Sequence, residues 1–581
     1  MGSQTTVRFD QNLVIPMRDG TKTYADVYRP SDSGKHPVLM TRTPYDKSSA
    51  TSRTNNIDAV TAASHGYAVV IQDVRGRYTS EGDFYTFKNE INDGFDSIEW
   101  AGSQGWSSGK VGMYGSSYVG ATQWLAAKSK PPSLAAICPT VTASNYHEGW
   151  AWQGGTFELG FNLSWAVGSL TQANWNNLSS KFNLGDSESQ RIIAAKDSLT
   201  SVFNHLPMSA MPVLKEGLAP YYYDWLSHPE YDDYWKSVCI EESHSEINVP
   251  AFNIGGWHDI FLGGTIKNFN GMRADSKSSR AQEGQRLLIG PWVHGNTGML
   301  AGSYGFGTLS SRASADLQGR SLAFFNKWLN GDTSEEDTKK PVRIFVMGVN
   351  EWRDEDEWPL DRAIESPFYL HSRGGANTLS GDGELTQTSP GEEASDSFLY
   401  NPQFPVPTTG GVLCCDDVFM PSGVYDQRSV EQRSDVLVYS SQALEQSLEV
   451  TGPIIVTLYA STSAEDTDFT AKLVDVDATG FARNLTDGII RARYRNSSLE
   501  ASAVIPGEII EYKIDLWATS NVFLKGHTIR LEVSSSNFPR FDRNLNTGGK
   551  IGEESDFKSA LQTIYHSREY PSHITLPLVP R

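Results

Sequence analysis

The chain is 581 residues long, enough for about three to five ordinary domains or fewer large ones. Its 39% hydrophobic and 20% charged residues are a globular balance, which excludes a disordered chain. Against 69 Asp and Glu stand 49 Lys and Arg, a net charge of −20, so no nucleic acid and no anionic membrane is expected as a partner. The aromatic share of 11% admits two readings, several packed cores or a ring-lined pocket.

Met1 to Asp10 is polar and lacks the apolar core of a signal peptide, and no apolar run approaches the ~18–20 residues needed to span a bilayer. The chain reads as soluble and cytoplasmic. In residues 1–145, short runs that are apolar on both faces alternate with helical stretches. Strands are expected at Pro37–Thr43, Tyr67–Val74, Lys110–Tyr114 and Leu134–Thr140, and helices at Asn56–His65, Glu90–Ala101 and Ser117–Lys128. This is the pattern of a parallel sheet covered by helices.

Across 146–246 the strand runs vanish and Trp150, Trp152, Trp165, Trp175, Trp225 and Trp235 are scattered among helix formers, which predicts a helical insertion. Strands of the first kind resume over 247–340, at Pro250–Gly255 and Gln285–Ile289, before an amphipathic helix at Ser321–Leu329. Gly331–Lys340 reads as a polar linker. Over 341–581, runs such as Val342–Met347, Asp435–Tyr439, Ile454–Tyr459, Phe469–Val476, Ile509–Leu516 and Thr528–Ser534 alternate with turn residues, predicting a β-sandwich of jelly-roll type. The fold class is therefore α/β, a split α/β-hydrolase domain with a helical insertion and a C-terminal β-sandwich.

The segment Gly115-Ser116-Ser117-Tyr118-Val119-Gly120 follows one expected strand and opens an expected helix. A sharp strand-to-helix turn needs small residues around a nucleophilic serine and lifts its oxygen to a helix N-terminus. Ser117 has Gly115 two residues before it and Gly120 three after; Ser116 would have Tyr114 and Tyr118 at the positions flanking it by two. Ser117 is the better nucleophile. In this fold the acid and then the histidine follow the serine. Of the twelve histidines, only His258 and His294 lie beyond the serine near late strands of the same sheet. His294, just past a buried strand in Gly290-Pro291-Trp292-Val293-His294, is the expected general base. Asp259, past the preceding strand, is the expected acid. His258 reads as a loop or pocket-rim residue.

The four cysteines, Cys138, Cys239, Cys414 and Cys415, are too few for a disulfide framework. Cys414 and Cys415, being neighbours, are poorly placed to bridge. No zinc-ligand spacing, dinucleotide fingerprint or P-loop occurs, so no metal and no cofactor is expected.

These residues match a family. The tags GSSYVG around Ser117, GGWHD ending at Asp259 and GPWVH ending at His294 resemble the cocaine esterase-like serine hydrolases. The wider family takes in Xaa-Pro dipeptidyl-peptidases, α-amino-acid ester hydrolases and related acylases. Met17–Gly20, Thr43–Asp46, Asp73–Gly76, Phe324–Leu329 and Asp468–Leu473 extend the resemblance over nearly the whole chain. It implies the same three-part architecture. It also implies that Tyr45, in its Pro-Tyr-Asp setting, gives its hydroxyl to the oxyanion beside the backbone N–H of Tyr118. By the same resemblance an acyl pocket forms where the three parts meet, lined by Trp152, Trp165, Phe261, Leu413 and Cys414. Packing inside the insertion (Trp152, Trp165) and in the sandwich core (Leu413, Cys414) stands as the other reading of four of these.

The expected activity is hydrolysis of a small-molecule ester, with a bulky or aromatic acyl group, through an acyl-enzyme. Amide or peptide cleavage is the first rival; it requires a carboxylate for the substrate's amine, and the insertion offers Glu148 and Glu158. A biosynthetic acyltransferase with the same triad is the second. A binding protein without activity is disfavoured by the intact set of Ser117, Asp259, His294 and Tyr45. A homodimer is compatible with the sequence, which sets no oligomeric state.

Overall fold

A computed structural model describes residues 6–215, 217–332 and 340–580. Ten strands make the first sheet: β1 (Val7–Pro16), β2 (Lys22–Pro30), β3 (His36–Thr43), β4 (Ala68–Asp73), β5 (Ser107–Ser116), β6 (Leu134–Thr140), β7 (Phe252–His258), β8 (Arg286–Val293), β9 (Val342–Val346) and β10 (Glu351–Glu355). Their spatial order is β1-β2-β4-β3-β5-β6-β7-β8-β9-β10. From β4 to β9 neighbours run parallel, and the outer pairs run antiparallel.

Each face of this sheet carries a helical layer, which is why its inner strands read as continuous apolar runs. On β3, Val38 and Met40 join the cluster of α1 (Glu90–Ser103) and α2 (Tyr118–Lys128), while Leu39 between them faces α4 (Leu317–Phe325). The third helix, α3 (Leu262–Asp275), follows β7. The helices α1 and α2 approach closely at Gly94, where an added Cβ would lie 2.6 Å from that of Ala126.

The insertion between β6 and β7 is helical as expected, with helices such as Leu159–Ser164, Asp186–Asp197 and Pro220–Ser227 and a π-helical stretch at Trp165–Thr171. It also holds a tiny hairpin, Trp152–Gln153 with Thr156–Phe157, too short to leave a periodic trace in the sequence.

One assignment is corrected. Val342–Met347 was expected to open the sandwich, but β9 pairs in parallel with β8, and β10 closes the edge of the first sheet. Strand periodicity does not tell which sheet a strand joins. The strands of the all-β region begin with Ile364–His371. There the long strand Leu448–Thr462 pairs antiparallel with Ile510–Phe523, Ala560–Tyr565 and His573–Val579. Asp468–Val476 lies between Ala482–Arg491 and Thr528–Ser534. One apolar cluster runs from Leu262 and Phe269 of α3 into Leu458, Leu473 and Leu531 of these strands, so the two halves share a core. Most of the proposed linker, residues 333–339, falls outside the described residues. Among the described residues, no helix is long and apolar enough to cross a membrane.

Candidate active site

The turn from β5 into α2 holds Ser117 at φ 63° and ψ −127°, a conformation costly for a residue with a Cβ. Its neighbours are small for steric reasons. A Cβ on Gly115 would meet Val119 Cγ1 at 2.3 Å, and one on Gly120 would meet Thr142 Cβ at 2.8 Å. The Ser117 N–H donates to the Thr140 carbonyl at 2.9 Å, tying the elbow to β6. Ser116 turns elsewhere, its hydroxyl donating to Asn55 Oδ1 at 2.7 Å.

His294, one residue past β8, places Nε2 2.9 Å from Ser117 Oγ and Nδ1 2.7 Å from Asp259 Oδ2. Asp259, one residue past β7, is fully buried, and its other oxygen accepts the Phe261 N–H at 2.7 Å. Three strand ends of one sheet, those before Asp259 and His294 paired directly and that before Ser117 one strand further on, thus bring together side chains up to 177 residues apart. His258 is not at a rim. It is fully buried, 5.9 Å from the Phe306 ring, neither ring nitrogen has a partner, and burial pushes its pKa down to about 4.

Tyr45 follows β3, its N–H donating to Thr43 Oγ1 at 3.0 Å. Its hydroxyl accepts the indole N–H of Trp165 at 3.0 Å. Burial pushes the Tyr45 pKa up to about 12, although hydrogen bonds with Trp165 and Ser117 and the charge of Arg77 pull it the other way. Buried Arg77 fastens this loop to the insertion, donating to Pro44 O at 2.8 Å, Leu170 O at 2.5 Å and Ser169 O at 2.9 Å. The polar use of Trp165 had no signal in the sequence, which marked it only as an aromatic. Tyr118 opens α2, so its N–H is among those without an intrahelical acceptor. Its hydroxyl accepts from Phe87 N at 2.9 Å and donates to Glu90 Oε1 at 3.0 Å.

Next to His294 lies a cage of closely packed, buried aromatic rings. Phe261 meets the His294 ring edge-on at 5.2 Å and stacks on Trp150 at 4.3 Å. Trp150 in turn contacts Trp165 at 5.4 Å and Phe161 at 5.5 Å. Leu413 and Cys414 belong to the same apolar cluster. Trp152 does not reach these rings: it packs edge-on against Phe157 at 5.1 Å and stacks on His147 at 6.1 Å. Trp150, two residues earlier, is the tryptophan that touches Phe261 and Trp165, whereas Trp152 lies in the hairpin. Cys414 and Cys415, expected not to bridge, form a disulfide with Cα atoms 3.7 Å apart, closer than in ordinary bridges. Adjacency sets that separation, and Cys415 turns to φ 76°. Both sulfurs and a ring nitrogen of His294 lie within 4.8 Å of one another.

The two carboxylates considered for a substrate amine have other partners. Glu148 accepts the Gly154 N–H at 3.0 Å, and burial raises its pKa. Burial raises the Glu158 pKa to about 7 against the pull of Arg540, 3.4 Å away. Arg540, from the all-β region, also donates to Gln153 Oε1 at 2.8 Å and pairs with Asp487. Asp542 accepts the Phe157 N–H at 2.7 Å and pairs with Arg491 at 3.0 Å.

A mixed sheet whose fifth strand turns through a strained serine into a helix defines an enzyme of the serine hydrolase class. Comparison with known proteins carries this further. Residues 19–296 match the X-Pro dipeptidyl-peptidase (S15) family, and residues 335–575 match the X-Pro dipeptidyl-peptidase C-terminal non-catalytic domain. Cocaine esterase of Rhodococcus sp. (strain MB1 Bresler) is 39% identical over 582 residues, 98% of each chain. An α-amino acid ester hydrolase structure superposes with a TM-score of 0.79 at 26% identity, covering 100% of this chain and 97% of that one. An aminopeptidase from a marine sediment Thaumarchaeota archaeon superposes with a TM-score of 0.81, covering 99% and 97%; at 24% identity it shows the fold alone. The chain belongs to the cocaine esterase-like serine ester hydrolases of the S15 family.

Proposed function

We propose that the chain hydrolyses a carboxylic ester with a bulky or aromatic acyl group, using Ser117, His294 and Asp259 as its triad. The observation that carries the reading is His294 hydrogen-bonded on one side to Ser117 Oγ at 2.9 Å and on the other to Asp259 at 2.7 Å. With its proton on Nδ1 and donated to Asp259, the imidazole is free at Nε2 to take the Ser117 proton as Oγ attacks the ester carbonyl. The Tyr45 hydroxyl and the Tyr118 N–H hold the oxyanion. A tyrosine with its pKa raised to about 12 keeps its proton at neutral pH and acts as a donor. His294 then protonates the departing alcohol, and water repeats the sequence on the acyl-enzyme.

The cage of Trp150, Phe261 and Trp165 beside His294 supports an apolar, ring-bearing acyl group. Leu413 and Cys414, from a loop of the all-β region that we read as a jelly roll, complete the wall. Amide cleavage of an amine-bearing substrate is less well supported, because Glu158 is committed to Arg540. Acyl transfer to another acceptor uses the same chemistry and is distinguished by products formed with added alcohols or amines. The test is a fluorophosphonate probe followed by a panel of aryl and alkyl acyl esters. A single adduct on Ser117 and burst kinetics are expected. Ser117→Ala should lose the adduct and about 10⁶-fold in kcat; an adduct on another residue sinks the assignment.

A further inference from the structure

The loop with Leu413 and Cys414 is anchored on both sides. Gly411 and Gly423 exchange N–H to carbonyl hydrogen bonds of 2.7 and 2.8 Å. Asp416 accepts the Val418 and Phe419 N–H groups at 3.1 and 3.0 Å and pairs with Lys196 across the interface to the insertion. Cys414 is buried in the apolar cluster that includes Phe261, whereas Cys415 is exposed. The pair therefore sits at the boundary between the buried cluster and solvent, with both sulfurs near His294. Among the described residues, it is with His294 the one cluster of three metal-ligating side chains whose donor atoms fall within 4.8 Å of one another.

We propose that Cys414 and Cys415, once reduced, form with His294 a binding site for a soft divalent cation of the zinc type, and that a cation bound there blocks the hydrolase. Two thiolates and an imidazole are a favoured zinc donor set, leaving a fourth position for water. Donor atoms around a tetrahedral zinc lie roughly 3.3–3.8 Å apart, judged from its usual bond lengths. Small side-chain rotations reach that from the separation found here.

The disulfide offers no thiolate, so reduction comes first. A phosphine transfers an electron pair to the S–S bond and becomes the phosphine oxide with the oxygen of one water, whose two protons go to the two sulfurs. The cation then displaces both thiol protons into solvent. Nδ1 of His294 is held by Asp259, so Nε2 takes the metal, and the lone pair that accepts the Ser117 proton is no longer free. This last point rests on the proposed role of His294 as base; the binding itself does not.

The test uses the full chain, oxidised or reduced with a phosphine that is then removed under inert gas. Cobalt(II) titrated into the reduced protein should give a thiolate-to-metal charge-transfer band saturating at one ion per chain. The oxidised protein and Cys415→Ser, which keeps Cys138 and Cys239, should give none. Zinc should slow fluorophosphonate labelling of the reduced protein more than tenfold relative to the oxidised protein, and a chelator should restore it. No band in reduced protein, or equal bands in both redox states, overturns the site. A band with undiminished labelling overturns the block. Comparing the two redox states needs no variant, so misfolding of Cys415→Ser leaves the test intact. If metal-free protein is not labelled at all, it is the reading of Ser117 and His294 that fails, while the cobalt band still decides the site.

Discussion

The hydrogen-bonded Ser117, His294 and Asp259 and the aromatic cage beside them are held by different means. Ser117, Asp259 and His294 stand one residue past β5, β7 and β8, so the spacing of a hydrogen-bonded sheet sets their separations. The cage is assembled from an insertion, a loop of the all-β region and one residue after the acid, and buried ion pairs such as Arg540 with Glu158 and Asp487 join its supports. On the proposed reading the chemistry rests on regular structure and the selectivity on connecting segments, a division common among enzymes. On that reading the first is hard to alter without loss of activity, and the second can be re-lined.

Four experiments break or sharpen this contrast. The largest effect sets Trp152 against Trp150. Trp152→Ala should cost about 3–5 kcal/mol of stability, read by denaturant melts, and leave acyl preference unchanged. Trp150→Ala should shift the ratio of kcat/KM between aryl and alkyl acyl esters; the reverse result would exchange their places. Next comes Tyr45→Phe, expected to lower kcat by about 10²–10³ with little change in KM, since an oxyanion donor acts in the transition state. Wild-type turnover in that variant removes Tyr45 from the mechanism.

The third is a pH dependence outside the site. Burial pushes His147 and His258 down to about 4, below their ordinary value near 6.5. Between these values the unfolded chain binds more protons than the folded one, so stability falls as pH drops from 6.5 toward 4, by roughly 3 kcal/mol per histidine at the limit. Glu158, raised to about 7, works in the opposite direction. The difference between wild type and His258→Gln isolates the histidine: the variant should show a flatter fall of Tm with acid, and parallel curves would contradict its burial as a neutral ring. The smallest effect is Trp165→Phe. It keeps a ring in the cage but removes the N–H that orients Tyr45, and should cost about tenfold in kcat, near the worth of one hydrogen bond.

That Ser117, His294 and Asp259 come together was legible in the sequence, because a tight strand-to-helix turn favours glycine at positions 115 and 120 and chain order narrows twelve histidines to two. The sheet was legible because its inner strands are apolar on both faces. Three things were not. Membership of β9 in the first sheet is decided by pairing partners that periodicity does not encode. That Trp150 rather than Trp152 packs on Phe261 and Trp165 turns on the path of a very short hairpin, below the resolution of any pattern. The bridge between Cys414 and Cys415 depends on a backbone turn at Cys415, and a sequence lists only that the two are neighbours.

The tie between Arg540 and the insertion has a consequence for how the molecule is made. Gln153 and Arg540 are 387 residues apart, so at ordinary elongation rates roughly 20–80 s separate their synthesis. During that interval the growing chain carries Ser117 and the helical insertion but not the guanidinium that pairs with Glu158, nor Asp542 beneath the hairpin at Phe157. The packing proposed to select the acyl group is thus a property of the finished polypeptide. An interrupted translation product has Ser117 without the packing proposed to select its substrate.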